Sequence, residues 1–350
     1  MHNIKDGDEE QQLLSILKIV SPGTALRTAI DDIAKGRLGA LIVVGNPPEV
    51  IELINGGFEV NCKFTPQKLL ELCKMDGAII LDSEMKRIVF ANTQLIPNPK
   101  IETNETGTRH KAAERTAKQV DNLVIAVSER KGSITLYQGP IKYTLRSTQD
   151  LLNRSGETLR MLEKHRELFN ELMLNLNVLE FTNLASLNDA VFAVQRAEMI
   201  ERIEQIIRRY IIELGVEGGL VDMQLKEIIK GISKEELLIL KDYSQNDELA
   251  TKVELSKIEL EKLIDTTNIL RTLGYSKLEE NVEVKGHRIL AKVPIPREKA
   301  SALITRLGNL QAILASSEET ILEHLGEGHA RIFIKEISNL KEQVMLGKKI

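Results

Sequence analysis

The apolar residues of the first 147 positions fall into short continuous runs that are separated by turn residues. Such runs predict buried strands, here at residues 40–44, 78–82, 87–91, 123–127 and 133–137, with one more short strand after Gly139-Pro140. Helical patterns lie between the runs, around 23–35 and after Thr65-Pro66, a pair that signals a helix start. This alternation predicts an α/β domain in which a mixed sheet is flanked by helices.

From about residue 148 the apolar residues recur at steps of three and four, which indicates amphipathic helices. Two such stripes are Phe169, Leu172, Leu176 and Leu179, and then Met199, Ile203, Ile206 and Tyr210. Helical runs also cover 231–244 and 256–274, and no proline occurs from 141 to 293. These stripes are typical of a bundle core, so we predict an all-α spine that carries no chemistry.

The last part of the chain, from residue 286, contains two helix-loop-helix patterns in tandem. It holds ten Lys or Arg residues against seven Asp or Glu, a balance of +3, whereas the whole chain of 350 residues carries −4. A chain of this length can bury several cores. We therefore predict an α/β domain at 1–147, a helical spine at 148–285 and a small all-α domain at 286–350.

Charge and composition exclude several classes of protein. A net charge of −4 argues against a surface built for bulk nucleic-acid binding, so any such site must be local. Only 3% of the residues are aromatic and none is Trp, which argues against a stacking platform for single strands. The longest apolar run near the start is too short to cross a membrane, and Cys62 and Cys73 form no disulfide framework. These features predict a cytoplasmic protein with no membrane partner.

Cationic side chains crowd the start of one predicted helix, in "GTRHKAAER" at 107–115. A helix N-terminus carries partial positive charge and free amide donors, so Arg109 and Lys111 are unfavourable there unless an anion lies between them. Together with Gly107 and the hydroxyl of Thr108, they favour binding of phosphate oxygens. The alternative is a solvated charged turn. The chain contains neither a Walker P-loop nor a dinucleotide-binding fingerprint.

A single carboxylate, that of Asp76, stands between a predicted helix and the strand that starts at Ala78, so we expect it at the edge of the sheet. Gly77 would let a ligand approach the backbone closely. A plain Asp-Gly turn accounts for the same two residues. Both interpretations stay open at this point.

Two of these motifs, "MDGAIILD" at 75–82 and "GTRHKAAER", carry a resemblance to a known family. With "PGTALRTAIDDIAKGRLGALIVVG" at 22–45 and the tandem hairpins of the tail, nearly the whole chain resembles the DNA integrity scanning (DisA) family of diadenylate cyclases. The resemblance implies a nucleotidyltransferase that condenses two ATP molecules into cyclic di-AMP and two pyrophosphates, with Mg²⁺ or Mn²⁺ required. It also implies sensing of branched or junction DNA, a role in DNA damage, and a homo-oligomer, an octamer whose cyclase domains meet face to face.

The resemblance also implies roles for particular residues. Asp76 would hold the metal ion and would be catalytic together with Arg109 and His110. The ATP-binding set would be Gly77, Ala78, Thr108, Arg109, His110, Lys111 and Ser128. Lys111 replaces the second arginine of the family motif, and a point ammonium cannot reproduce a bidentate guanidinium. Ser128 has an alternative role as a strand-end hydroxyl satisfied by backbone. Glu129 is a possible second acid, but Arg130 and Lys131 follow it.

In the tail, the resemblance implies tandem helix-hairpin-helix motifs, which grip DNA phosphates with backbone amides and do not read bases. The DNA-binding residues would be Gly326, Gly328, His329 and Arg331. His324 stands where the first glycine of the hairpin is expected, and a positive φ there would strain it. The alternative is a hairpin that binds protein or is purely structural.

Two rival functions remain beside the diadenylate cyclase. One is a catalytically impaired scaffold that binds DNA structures and retains nucleotide binding. The other is a cyclase whose tail no longer binds DNA. Because Asp76 and the cationic helix start are both present, the sequence favours the enzyme.

Overall fold

The computed structural model describes residues 2–45 and 47–348, which form two compact units. The first unit contains the chain up to residue 156 together with 208–222, and the second contains 157–207 and 223–350.

The first unit is built on one sheet with helices on both faces. Its strands are β1 (Ala40–Val44), β2 (Ile54–Asn55), β3 (Phe58–Lys63), β4 (Ala78–Leu81), β5 (Arg87–Leu95), β6 (Leu123–Val127), β7 (Ile134–Gln138) and β8 (Ile141–Thr144). Its helices are α1 (His2–Ile19), α2 (Ala25–Lys35), α3 (Pro47–Ile51), α4 (Pro66–Leu72) and α5 (Thr108–Val120).

The sheet is mixed, as predicted. Its strand order is β2-β5-β4-β1-β6-β7-β8, and β3 also pairs with β5. The central strand β1 runs parallel to β4, with Leu41 opposite Ala78, and antiparallel to β6, with Ala40 opposite Val127. All other strand pairs are antiparallel.

Strand β1 is buried on both faces, which explains its unbroken apolar run "ALIVV". Side chains alternate across a strand, so Ile42 packs into one core with α1, α2 and α4, whereas Val43 packs into the other. On that second face, Ala113 and Ala117 of α5 are fully buried. Their small side chains allow α5 to lie close to the sheet.

The predicted strands are confirmed, with ends that differ by a few residues. β3 was not predicted because its residues alternate between exposed and half-buried, and its register with β5 is shifted between Glu59 and Cys62. A strand that pairs on one side only needs no apolar run, so its sequence carries little signal.

The remaining elements are helical, and two of them are long. They are α6 (Thr148–Thr182), α7 (Leu187–Leu214), a 3-10 turn (Gly215–Gly218), α8 (Gly219–Ile229), α9 (Ile232–Tyr243), α10 (Glu248–Ser256), α11 (Leu260–Leu263), α12 (Thr266–Thr272), α13 (His287–Leu290), α14 (Arg297–Leu307), α15 (Leu310–Ala315), α16 (Glu318–Leu325) and α17 (Glu327–Met345). The long helices α6 and α7 confirm the two predicted stripes.

The helical run predicted over 256–274 is interrupted in the structure. The chain breaks there between α10, α11 and α12. The carboxylate of Asp265 accepts a hydrogen bond from the N–H of Thr267 at 2.9 Å and so begins α12. Aspartate at a helix start competes with continuation of the preceding helix, and the apolar periodicity does not register this break.

A buried arginine joins several helices of the second unit. The guanidinium of Arg288, 1% exposed, donates to both carboxylate oxygens of Glu180 at 3.0 and 2.5 Å and to Oδ1 of Asn177 at 2.5 Å. The hydroxyl of Tyr243 donates to the same carboxylate at 2.9 Å. Glu180 itself is fully buried. This network links α6, α9 and α13.

Beside this network, the buried carboxylate of Asp242 caps the short helix α13. It accepts hydrogen bonds from the N–H groups of Gly286, His287 and Arg288 at 2.6 to 2.8 Å. Burial and the nearby charge of Glu180 raise the pKa of Asp242 to about 7, although the backbone donors oppose this shift. The start of the predicted tail is therefore tied to the helices that precede it.

We predict that Arg288→Met destabilises the second unit strongly, because the variant leaves the carboxylate of Glu180 buried without its cation. Breaking such a pair costs about 3–5 kcal/mol of unfolding free energy. The measurement is urea denaturation followed by circular dichroism of the helices. The control is Lys257→Met, which removes the exposed ion pair with Glu254 and should change stability little. Equal midpoints for the two variants would contradict the structural role of Arg288.

Candidate active site

One edge of the sheet in the first unit gathers the residues that the sequence singled out. β1 and β4 are parallel and both begin at this edge, whereas the antiparallel β6 ends there. Gly39 directly precedes β1, and Asp76 stands two residues before β4. Ser128 directly follows β6. Helix α5 begins at the same edge with Thr108, so the positive end of its dipole lies there as well.

A cleft of about 860 Å³ lies at this edge, and Asp76, Gly77 and Ala78 are not among the residues that line it. Its walls come from the segment before α5 and the start of that helix, from the turn between β6 and β7, and from the nearby parts of β7 and β8. The lining residues are Glu105, Thr106, Gly107, Thr108, Arg109, His110, Val127, Ser128, Glu129, Arg130, Lys131, Ser133, Thr135, Lys142 and Thr144. The volume is within the range of small-molecule sites.

Arg109 is the central cation of this edge. Its Nη2 lies 3.8 Å from the carboxylate of Asp76, and its Nη1 lies 3.5 Å from that of Glu129. The Arg109 side chain is 35% exposed and that of Asp76 is fully exposed. Both contacts are long for charge-assisted hydrogen bonds. The guanidinium therefore stands between two carboxylates without a tight partner, and a bound phosphate can compete for it.

Gly39 makes room for this arginine. A Cβ atom at residue 39 would lie 2.0 Å from Nη1 of Arg109 and 2.4 Å from its Cζ. Any side chain at this position would displace the guanidinium. The glycine immediately before β1 thus fixes where the cation of α5 can lie.

The far wall of the cleft is a polar network on β7 and β8. The hydroxyl of Tyr137 donates to Glu105 at 2.7 Å, and the ammonium of Lys142 lies 2.5 Å from the same carboxylate. The ring of His110 meets that of Tyr137 edge-on, with 6.4 Å between centroids. Burial opposes ionisation of Glu105, but its hydrogen bonds with Lys142 and Tyr137 outweigh burial and hold the pKa below its ordinary value. Burial and Glu105 raise the pKa of Tyr137, so its phenol stays protonated.

The start of α5 leaves backbone amides available to a ligand. Its N-cap is Gly107, which has no side chain to accept a hydrogen bond from the first turn. Thr108, Arg109 and His110 all line the cleft. Lys111 does not line it, and its side chain is exposed.

The structure gives Gly77 and Ala78 roles within the sheet. Gly77 has φ of +102°, and a Cβ there would lie 2.8 Å from the backbone carbon of Asn92. Ala78 is fully buried, and its carbonyl accepts a hydrogen bond from the hydroxyl of Thr93 at 3.0 Å. The close packing of β4 on β5 thus accounts for both residues.

Ser128 lines the cleft at the end of β6. Its hydroxyl oxygen accepts a hydrogen bond from the N–H of Lys131 at 3.4 Å, within the turn that Gly132 closes. This backbone contact is the alternative role considered above, and it is long. The hydroxyl proton of Ser128 remains available to a ligand in the cleft.

In the described part of the chain, one group of three or more candidate metal ligands lies close together, namely Glu198, Glu201 and Glu236 of the second unit. The ammonium of Lys252 already lies among these carboxylates, 2.8 Å from Glu198 and from Glu201 and in contact with Glu236. At the sheet edge, Asp76 offers a single exposed carboxylate, which fits Mg²⁺ because that ion takes few protein ligands and binds substrate phosphates.

The tail forms a tight hairpin between α16 and α17. Only Gly326 connects the two helices, with φ of +76°. His324 lies in the last turn of α16 and has no positive φ, so the strain considered above does not arise. A Cβ at Gly328 would meet open space. Arg331 pairs with Glu327 at 2.6 Å, and both side chains are largely exposed.

The two histidines of this hairpin are each held by a cation of α14. Lys299 lies 3.0 Å from Nδ1 of His329 and also donates to the carbonyl of Leu325, and Arg306 lies 2.8 Å from Nδ1 of His324. Lysine and arginine can only donate, so each Nδ1 accepts and the proton of each neutral ring is on Nε2. Both hairpin histidines can therefore donate a hydrogen bond from that nitrogen.

Sequence reasoning missed Gly39, Glu105, Tyr137 and Lys142. Gly39 lies within the quoted stretch of residues 22–45, without any local sign that an arginine 70 residues later would lie against it. In the sequence, Tyr137 and Lys142 are ordinary residues of two predicted strands. Their proximity to Glu105 depends on the β7–β8 register, which pairs Tyr137 with Lys142.

Within the described residues, no helix combines the length and the apolar character that crossing a lipid bilayer requires.

Comparison with known proteins agrees with this geometry. Residues 27–141 match the family model described as the DisA bacterial checkpoint controller nucleotide-binding region, and residues 145–282 match the model of the linker region of the same controller. The first match contains β1 to β7 and α5, and so covers the strand ends and the helix start that meet at this edge of the sheet.

Relatives extend the match to almost the whole chain. The DNA integrity scanning protein DisA of Clostridium botulinum is 40% identical over 98% of this chain and 99% of its own. That of Symbiobacterium thermophilum is 41% identical over 96% and 97%. A solved structure, DacA from Staphylococcus aureus, is 26% identical over 40% of this chain and 90% of its own, with a TM-score of 0.30. From the full-length identity to these relatives, we conclude that the chain belongs to the DNA integrity scanning protein (DisA) family.

Proposed function

We propose that this protein is a diadenylate cyclase, a nucleotidyltransferase that condenses two ATP molecules into cyclic di-AMP and two pyrophosphates. The observation that carries the proposal is the sheet edge where Asp76 and Arg109 meet at the start of α5. A carboxylate for a metal ion, a cation for phosphate and open helix amides are the groups that phosphoryl transfer requires.

In each of the two steps, the 3′-hydroxyl of one ATP loses its proton to solvent and its oxygen attacks the α-phosphorus of the other. The bond between the α-phosphorus and the bridging oxygen breaks, and pyrophosphate leaves. Arg109, the amides that follow Gly107 and the hydroxyl of Thr108 bind the triphosphate. His110 and Ser128 complete the wall around it, while Gly77 and Ala78 can contribute only backbone contacts. The chain's main contribution is positioning and charge neutralisation.

Mg²⁺ or Mn²⁺ is the proposed cofactor, held by Asp76 together with oxygens of the substrate. Bound there, the ion would neutralise phosphate charge and favour the ionised hydroxyl. The carboxylate of Asp76 is fully exposed and its contact with Arg109 is 3.8 Å, so a hard cation can reach it without breaking a buried network. Glu129, on the other side of Arg109, is the nearby second acid.

The reaction joins two ATP molecules, whereas one chain offers one such cleft among its described residues. We therefore propose a homo-oligomer in which two cyclase domains face each other, within an octamer. Lys111, which is exposed and does not line the cleft of its own chain, would then contact the ATP of the facing domain. An ammonium there keeps the charge of the family's arginine but not its fork geometry.

For the tail, we propose binding of branched or junction DNA through the hairpin between α16 and α17, as a helix-hairpin-helix motif. The support is local. Gly326 and Gly328 have open space around them, His329 can donate from Nε2, and Arg331 is exposed. These groups suit contacts with phosphate oxygens, which give affinity without sequence specificity.

We predict that Asp76→Asn abolishes synthesis of cyclic di-AMP and largely spares ATP binding. The variant loses the metal-binding carboxylate, while Arg109 and the helix amides still bind phosphate. The measurement incubates full-length protein with ATP and Mg²⁺ or Mn²⁺ and separates the products by chromatography, with calorimetry for ATP affinity.

Asp8→Asn, an exposed site on α1, is the matched control and should leave the product yield unchanged. Full turnover by Asp76→Asn would refute the assignment of that residue. If the folded wild type forms no product with either metal, the alternative of a nucleotide-binding scaffold takes the place of the enzyme.

For the tail, we predict that Arg331→Ala weakens binding of a four-way DNA junction and leaves synthesis of cyclic di-AMP without DNA unchanged. Loss of one phosphate contact should reduce the slope of log affinity against log salt by about 1. Fluorescence anisotropy over a salt series measures both. Arg160→Ala, an exposed arginine of α6, is the control. Identical affinities and slopes for the two variants would exclude this hairpin surface.

A further inference from the structure

The second unit contains a depression that takes no part in the proposed reaction. Its volume is about 600 Å³, and it lies between α9 and the start of α10 on one side and the chain from α13 to α14 on the other. Helices α9 and α13 pack together in this unit, so its walls belong to one compact body.

The floor and walls of this depression are mostly apolar. They are formed by Leu237, Leu238, Leu249, Leu290, Ala291, Val293, Ile295, Ala300 and Ile304. Leu249 is 61% exposed, although it is a large apolar side chain. Burying such surface is favourable by about 25 cal/mol per Å². The depression is therefore suited to an apolar body.

The rim of the depression is positively charged. Lys241 and Glu248 pair at 3.2 Å and neutralise each other. Lys234 and Arg297 also line the depression and are exposed, and neither has an ion-pair partner within the described parts of the chain. Burial, with the charges of Lys241 and Lys285, lowers the pKa of His287, which leaves that ring neutral at pH 7. Two uncompensated cations thus flank an apolar surface.

We propose that this depression binds a small organic anion with an apolar body, such as a free acyl or aryl carboxylate. The apolar part would lie against Leu238, Leu290 and Ile304, and the carboxylate would reach Lys234 or Arg297. The volume and the mainly apolar lining with few polar groups are those of small-molecule sites. The opposite sign of the rim and the ligand head group selects an anion over a cation.

This site is separate from the ATP cleft, because all its lining residues belong to the second unit and those of the cleft belong to the first. It also differs in chemistry, since the ATP cleft is lined largely by polar and charged groups. The inference does not rest on the cyclase activity. A protein without cyclase activity could still bind the anion, and a protein that does not bind the anion could still be a cyclase.

The test uses the full-length protein and two probes with the same alkyl chain, dodecanoate and dodecyltrimethylammonium, both below their micellar concentrations. Isothermal titration calorimetry should give one dodecanoate per chain and binding of the cationic probe that is at least about tenfold weaker, a difference of roughly 1.4 kcal/mol. Equal affinities for the two probes would overturn the proposal, because the charged rim would then play no part.

Variants locate the binding. The double variant Lys234→Glu with Arg297→Glu should weaken dodecanoate binding about tenfold or more, and Ala300→Trp should abolish it by filling the depression. The control pair Arg160→Glu with Lys335→Glu changes the same net charge at exposed residues outside the lining. Circular dichroism checks that each variant is folded. Binding that survives in a folded Ala300→Trp, or that falls equally in the control pair, would refute the site.

Discussion

The candidate active site depends first on how β1 pairs with its two neighbours. Parallel pairing with β4 brings the starts of both strands to one edge, and antiparallel pairing with β6 adds the end of a third strand. A slip of one residue would turn the side chains of β1 to the opposite core, and the close packing of both cores opposes that exchange. The site thus follows from packing within the sheet rather than from any one loop.

At that edge the charged side chains make only long contacts with one another. Arg109 stands between Asp76 and Glu129 at 3.8 and 3.5 Å, and Gly39 leaves the space in which its guanidinium lies. Weak contacts of this kind hold the side chain in place without a strong competing partner. In the proposed reaction, a triphosphate would replace the carboxylates at little cost and would leave Asp76 to hold a metal ion. The preorganised position of the cation is what the proposed chemistry uses.

The sequence predicted the α/β domain well because runs such as "ALIVV" and "LVIAV" are buried on both faces and leave a plain apolar signal. Arg109 was found because its local setting was unusual, whereas Asp76 had an ordinary turn as its alternative and received its role only from the family resemblance. Gly39 and Tyr137 were not identified from the sequence, because their importance comes from contacts that only the sheet register creates. The expected strain at His324 also came from a local rule, which placed a positive φ at that residue. The structure places the positive φ two residues later, at Gly326. Local rules therefore identified charged groups, whereas their partners required the fold.

The central claim is that the sheet edge fixes Arg109 where it binds the phosphates of ATP, and Gly39→Ala tests it most directly. Residue 39 has no positive φ, so alanine suits the backbone, but its Cβ would lie 2.0 Å from Nη1 of Arg109. We expect calorimetry to show ATP binding weakened about tenfold, with the melting temperature nearly unchanged. Gly156→Ala, where a Cβ meets open space, should bind as the wild type does. Wild-type ATP affinity in a folded Gly39→Ala protein would contradict the account.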